Sequence, residues 1–204
     1  MKINSVNYLK VGSLSSIDDL RDIAIHEDFT VATIRETTEV PDNPQRETNI
    51  VSGLYDIFPE IEGSYEPEIM DKYDKFLPEI VEHLKLYYNY ESIRLMSFCL
   101  VILRSGSKIY PHRDDDADNV EAAYGYCHRI HIPVQTNSSV VFTIAGEDRH
   151  LKYGEIVEID NLAEHSVVNN GSEDRIHVLI DFYGMHDYYD KSLPGIPKLY
   201  YKDK

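Results

Sequence analysis

Apolar positions change their period once along this chain. In SSIDDLRDIAI, Ile17, Leu20 and Ile23 recur every three residues behind two serines and two aspartates, the pattern of an N-capped amphipathic helix. From Pro67 to Tyr88, Ile69, Tyr73, Phe76, Ile80, Leu84 and Tyr87 keep helical spacing, and Pro78 must kink that helix or begin a second one. After residue 90 the period falls to two. The β-branched runs RLMSFCLVILR, YCHRIHIPVQT, SVVFTIAG, EIVEI, HSVVNN and RIHVLIDF, separated by glycine and asparagine, predict six short strands. Strands at this spacing, without helices between them, predict an antiparallel sandwich or barrel whose outer face the two helical segments cover.

The pattern reads as one domain over 1–204: a helical and loop part over 1–90 packing on the barrel, a β core over 91–182, and a tail over 183–204. Between the helical segments, VPDNPQRETN has two prolines, two asparagines and almost no apolar side chain, so it is an exposed loop, either a binding loop or a plain connector. The tail carries five tyrosines and either lies over the barrel mouth or packs as an edge segment.

Charge narrows the partners. Acidic residues outnumber basic ones 36 to 20, and a net charge of -16 repels phosphate backbones and anionic membrane surfaces, so neither nucleic acid nor membrane is expected. The longest near-apolar stretch, Leu95 to Leu103, spans nine residues, about half of the ~20 that a bilayer needs. The first residues show no secretory signal pattern. Cys99 and Cys127, the two cysteines, both fall in strand patterns, which fits reduced buried thiols and a cytoplasmic location. Oligomeric state leaves no mark on the sequence.

The chemistry concentrates around Tyr110-Pro-His112-Arg-Asp114, where an imidazole and a carboxylate stand two positions apart on extended chain and so share a face. One His-x-Asp is common, and Asp115 and Asp116 compete with Asp114 on charge alone. His165, 53 positions after His112, opens the run HSVVNN, and Arg175 follows ten positions later at the head of RIHVLIDF. Two imidazoles and a carboxylate on one face of an octahedral metal leave other positions open, the arrangement of non-haem Fe(II) oxygenases. A guanidinium fork beyond them suits the far carboxylate of a dicarboxylate cosubstrate, 2-oxoglutarate.

The segments LRSGSKIYPHRD, HRIHIPVQTN and YGEIVEIDNLAEHSVVNNGSEDRIHVLIDF, over about residues 93 to 182, resemble the aspartyl/asparaginyl β-hydroxylase family of Fe(II)- and 2-oxoglutarate-dependent dioxygenases, which includes proline-hydroxylase-like relatives. The resemblance implies a mainly β fold with flanking helices, a double-stranded β-helix (jelly roll, cupin-like). It implies Fe(II) on His112, Asp114 and His165, with Arg175 on the C5 carboxylate of 2-oxoglutarate. It also implies O2-driven decarboxylation of 2-oxoglutarate to succinate and CO2, coupled to hydroxylation of an amino acid, free or within a peptide or protein. Some side-chain hydroxylases of the family lack the ligand carboxylate, so Asp114 draws this chain toward the free-amino-acid branch or toward the family's many uncharacterised relatives. The Arg-x-Ser of many related oxygenases is Arg175-Ile-His177 here, which leaves the second anchor of the cosubstrate carboxylate unassigned.

Arg129 and His131 share one strand face, and the resemblance turns that face into the barrel beside the metal. There His131 helps to bind 2-oxoglutarate, while Arg129 either meets a substrate carboxylate or pairs with a local aspartate. His128 points oppositely and reads as structural. His177 shares a face with Arg175 and is either structural or part of the pocket. His150 is a surface residue, and Asn161 a turn former. Two other readings stand beside the oxygenase: a non-oxidative cupin-like metalloenzyme, which has no evident need for Arg175, and a non-catalytic amino-acid- or peptide-binding barrel, which has no need for an intact triad.

Overall fold

A computed structural model describes residues 7–30, 43–45, 47–55, 64–114 and 127–185. Two antiparallel sheets face each other. The larger is built from β1 (Tyr8–Ser13), β2 (Thr48–Tyr55), β3 (Ser64–Tyr65), β4 (Ser92–Leu103), β6 (His128–Gln135), β9 (Glu155–Ile159) and β11 (Arg175–Met185), in the order β1-β9-β6-β11-β4-β2-β3. The smaller has β5 (Lys108–His112), β7 (Val140–Ile144), β8 (Glu147–Arg149) and β10 (His165–Asn169), in the order β5-β10-β7-β8. This is the jelly-roll arrangement expected, and each of the six β-branched runs forms a strand.

The helices α1 (Ile17–Ala24), α2 (Pro67–Tyr73) and α3 (Leu77–Tyr88) cover the outer face of the large sheet. Pro78 begins a second helix rather than kinking one, because its missing N–H falls in the first turn, where no intrahelical partner exists. Leu20, Met70, Ile80 and Leu84 pack there against Leu100, Ile132, Val178 and Ile180. The inner face packs on the small sheet, where Leu103, Val157 and Ile159 meet Ile109, Phe142 and Val167. With both faces covered, β4, β6 and β11 are buried nearly throughout, which is why their sequences read as apolar runs rather than clean alternation.

The N-terminal part adds three strands to the helices and loops expected over 1–90. β1 pairs with β9, and β2 inserts between β3 and β4. YLKVGS and TNIVSGLY carry too many polar and small residues to announce strands locally; partners far along the chain make them so. The core strand β11 likewise runs three residues past position 182. The remainder of the tyrosine-rich tail, and residues 41, 42 and 46 of the 41–49 loop, lie outside the described residues. Among those described, no helix is long and apolar enough to cross a membrane.

The serines ahead of α1 work differently from a simple N-cap. Ser16 Oγ donates to Glu79 of α3 at 2.7 Å, and the Ser15 backbone N–H donates to the same carboxylate at 2.5 Å. Glu79 thus ties α3 to the start of α1. Burial would raise its carboxyl, but the bonds from Ser15 and Ser16 hold it down at about 2.

Candidate active site

His112 ends β5 and His165 begins β10, and antiparallel pairing sets them opposite each other with ring centroids 4.3 Å apart. Each ring is oriented by the same local device. His112 Nδ1 lies 2.8 Å from the Tyr110 carbonyl, and His165 Nδ1 lies 3.0 Å from the Ala163 carbonyl, each two residues back. A carbonyl only accepts, so both Nδ1 atoms carry protons and both Nε2 atoms keep lone pairs for a metal. The turn before β5 makes this possible: Gly106, at φ +78°, reverses the chain between β4 and β5.

Asp114 completes the set. Its backbone N–H donates to the carbonyl of the fully buried Asn161 at 3.0 Å, which pins the end of β5 to the segment leading into β10. Asp114 Oδ1 then lies 3.7 Å from His112 Nε2 and 3.9 Å from His165 Nε2, and the candidate donor atoms of the three residues all fall within 4.8 Å of one another. Burial would raise Asp114, but Arg129, His165, His112 and the Asn161 side chain together keep its carboxyl below the usual range. Burial, partly offset by Asp114, lowers His165 and favours the neutral imidazole that a metal needs. Two imidazole lone pairs and a carboxylate therefore fit Fe(II) by donor type, protonation and spacing.

Register orders the inner face of the large sheet into ranks. Arg129, Asp181 and Ser97 lie across β6, β11 and β4; His131, Leu179 and Cys99 form the next rank, then Pro133, His177 and Val101, and finally Arg175 and Leu103. Arg129, His131, Cys99, Leu179 and Arg175 line one pocket with His112 and His165.

Arg175 is 1% exposed, and among the described residues no carboxylate pairs with it. Its Nη2 donates to His177 Nδ1 at 2.7 Å, its Nε has no hydrogen-bond partner, and burial pulls it down to about 9. A buried guanidinium without an anion is costly, so this end of the pocket is built for one. His131 Nδ1 lies 3.4 Å from His177 Nδ1, while His131 Nε2 is buried without a partner. Burial and the charge of Arg175 hold both imidazoles well below their usual values, so both are neutral.

Arg129 finds its carboxylates within the chain. Nε and Nη2 donate to the two oxygens of Asp181 at 2.7 and 2.9 Å, and Nη1 bonds Asp114 Oδ2. The aspartate pairing, one of the two readings of Arg129, is thus present, and the same guanidinium lines the pocket that the substrate-carboxylate reading requires. His128 faces the opposite side of β6, where it bonds Glu158 at 2.8 Å and Tyr90 at 2.9 Å. Sequence reasoning missed Asp181, although it shares the parity of Arg175 and His177 on β11, and it missed Gln45, whose Nε2 stands 3.4 Å from His112 Nε2.

The family model for aspartyl/asparaginyl beta-hydroxylases matches residues 64–184, which contain every pocket residue named above except Gln45. No curated protein matches the chain. Among solved structures, the viral collagen prolyl hydroxylase vCPH of Paramecium Bursaria Chlorella virus-1, in complex with 2-oxoglutarate, is similar at 14% identity and TM-score 0.55, over 91% of this chain and 100% of that one. HygX of Streptomyces hygroscopicus, with nickel and 2-oxoglutarate bound, is similar at 12% identity and TM-score 0.56, over 89% and 84%. A 2OG-Fe(II) oxygenase-family oxidoreductase of Burkholderia pseudomallei is similar at 12% identity and TM-score 0.52, over 69% and 71%. At such identities these three speak for the fold, and the family match reaches further: with more than half of its length and the whole His-Asp-His set inside the matched span, this chain belongs to the aspartyl/asparaginyl β-hydroxylase family of Fe(II)- and 2-oxoglutarate-dependent dioxygenases.

Proposed function

We propose that the chain hydroxylates an unactivated C–H bond of an amino acid, free rather than peptide-bound, in the cytoplasm, with Fe(II) on His112, Asp114 and His165 and 2-oxoglutarate anchored by Arg175. The observation that carries this reading is the polarity of the pocket. At the triad end Asp114 and Asp181 bracket the Arg129 guanidinium, two carboxylates to one cation, which favours a dication; at the other end Arg175 has no carboxylate partner among the described residues, which favours an anion. A metal dication held by the triad and a dicarboxylate held by Arg175 would complement both ends.

When bound, the iron supplies the oxidative decarboxylation of 2-oxoglutarate by O2 that powers hydroxylation. The chain's own work is orientation. Backbone carbonyls hold the two imidazoles, His177 steadies the Arg175 fork, and His131 lines the cosubstrate's side of the pocket. Ile50, Val101 and Leu179 exclude water from the space between. Unpaired Arg175 favours this reading over a non-oxidative cupin-like enzyme, and the intact triad favours it over a non-catalytic barrel.

Succinate release from 2-oxoglutarate by Fe(II)-loaded protein, screened over free amino acids and peptides, tests the proposal. Stimulation by free amino acids above the substrate-free rate is expected. Stimulation by peptides alone would reassign the substrate, and no succinate under any condition would remove the oxygenase reading.

A further inference from the structure

A carboxylate that ligates a metal has two oxygens, and the second oxygen of Asp114 is already taken. We propose that Arg129 is a positioning residue which, itself locked by Asp181 and Ser97, occupies Asp114 Oδ2 and so makes Asp114 a one-oxygen ligand. This rests on the reading that the triad holds the metal.

The lock is built in layers. Ser97 Oγ donates to Asp181 Oδ2 at 2.6 Å and accepts the Asp181 backbone N–H at 3.2 Å, which fixes the Asp181 carboxylate on β11 against β4. That carboxylate takes Nε and Nη2 of Arg129 side by side, a bidentate pair that sets the plane of the guanidinium. With one edge committed, Nη1 has a fixed direction, and it meets Asp114 Oδ2. Side chains of Arg129, Asp114 and Asp181 are at most 6% exposed, so water cannot replace a broken bond.

The consequence lies in coordination number. Three protein donors leave half of an octahedron open, and a 2-oxo acid that chelates through two atoms still leaves a position for a further reactant. If Asp114 swung round to offer both oxygens, a 2-oxo acid would have to expel the second oxygen or take both remaining positions, so it would bind more weakly and leave no place for a further reactant. For Asp114 to do so, Oδ2 must leave the Nη1 of a buried guanidinium whose Nε and Nη2 stay committed to Asp181.

The charges give the lock a signature. Asp114 and Asp181 share one cation. Removing it leaves two buried carboxylates that attract a dication more strongly and allow Asp114 to chelate; neutralising Asp181 removes one of the negative charges beside Arg129 and weakens attraction for the metal. Loosened packing would weaken binding in both variants, whereas the lock demands opposite signs.

Calorimetric titration of the metal-free chain with Ni(II), then of the nickel-loaded chain with 2-oxoglutarate, tests this. Arg129→Gln should bind Ni(II) at least ~5-fold more tightly than wild type and 2-oxoglutarate at least ~10-fold more weakly. Asp181→Asn should bind Ni(II) more weakly. Arg129→Lys keeps the charge without the fork, so its Ni(II) affinity should stay near wild type while 2-oxoglutarate still binds more weakly. If Arg129→Gln does not fold, as thermal melting will show, Arg129→Lys and Asp181→Asn carry the test. A wild-type chain that binds no Ni(II) overturns the metal reading and this one with it. A wild type that binds, with Arg129→Lys indistinguishable from it or with Arg129→Gln and Asp181→Asn shifted in the same direction, overturns the lock alone.

Discussion

Arg175 Nη2 donates to His177 Nδ1 over 2.7 Å, between two side chains that are each 1% exposed and stand two residues apart on β11. An arginine can only donate, so His177 Nδ1 is the acceptor and its proton resides on Nε2. Where many relatives offer a serine, this chain orients its guanidinium with an imidazole that burial and the charge of Arg175 keep neutral. His177→Phe removes the acceptor at similar bulk, and the KM for 2-oxoglutarate should rise by about tenfold, the loss of one buried charge-assisted bond. Ni(II) affinity should be unchanged. His177→Asn, which restores a carbonyl acceptor, should recover part of the loss, and equal KM values in all three proteins would remove His177 from the site.

His112→Ala or His165→Ala deletes one of two imidazoles whose lone pairs converge, and either should abolish tight Fe(II) binding and succinate formation together. Asp114→Ala should be milder in metal binding than in turnover, since relatives manage without that carboxylate and its loss opens rather than closes a position. Metal content after dialysis, measured beside succinate release, checks both. Full occupancy and activity in either histidine variant would break the triad assignment.

His112, Asp114, His165 and Arg175 are legible in the sequence because three of them lie at strand ends and Asp114 two residues beyond one, where the spacing of two and the residue types name the chemistry. Asp181 and Ser97 are not, because an acidic residue or a serine inside an apolar strand announces nothing until its neighbour across the sheet is known. Register supplies that neighbour, setting Asp181 between Arg129 and Ser97. The same limit hid β1, whose partner β9 lies some 147 positions along the chain, as the Tyr8–Glu155 hydroxyl contact between them marks. Gln45 was hidden differently: it lies in a polar segment whose composition suits a connector as well as a binding loop.

Glu79 gives the helical layer a pH dependence of known sign. Its folded-state value of about 2 lies below the ordinary 4.5, so its stabilising bonds to Ser15 and Ser16 are complete above about pH 4.5 and are lost as pH falls toward 2. Glu79→Ala should destabilise the chain by about 1 kcal/mol at neutral pH, the usual worth of a helix cap, and lower Tm by about 2–4 °C. The unfolding midpoints of wild type and variant should converge on acidification. A gap that persists at pH 2 would mean that packing of the Glu79 stem, and not its charge, joins the helices.

The opposite face of β6 carries polar groups that belong to the scaffold. Glu158, 1% exposed, receives the Nδ1 proton of His128 at 2.8 Å and a bond from the Tyr88 hydroxyl, while Tyr90 reaches His128 Nε2 at 2.9 Å. Glu158→Ala leaves the buried His128 Nδ1–H and the half-buried Tyr88 hydroxyl without their acceptor and should cost about 2–3 kcal/mol in urea unfolding. Because His128 projects away from Arg129 and His131, Ni(II) affinity measured well below the unfolding transition should stay within threefold, roughly 0.7 kcal/mol, of wild type. A larger loss would tie this cluster to the site.

Arg175 makes the sharpest claim, that the cosubstrate must carry a second carboxylate. A 2-oxo monoacid can meet the metal but leaves the buried guanidinium without an anion, whereas 2-oxoglutarate satisfies both ends of the pocket. A ligand that binds only the folded chain stabilises it by about 2.7 kcal/mol at a hundred times its Kd, so melting of the nickel-loaded protein reads the difference directly. Tm should climb steeply with 2-oxoglutarate and hardly at all with 2-oxobutyrate at equal concentration. In Arg175→Gln the two should become equivalent, with the 2-oxoglutarate response falling to that of the monoacid while Ni(II) alone still raises Tm as in wild type. The variant itself should melt close to wild type in the absence of ligands, because the desolvation penalty removed with the buried charge offsets the one bond to His177 that is lost. If 2-oxobutyrate stabilises the wild type as well as 2-oxoglutarate does, Arg175 reads something other than the far carboxylate of the cosubstrate.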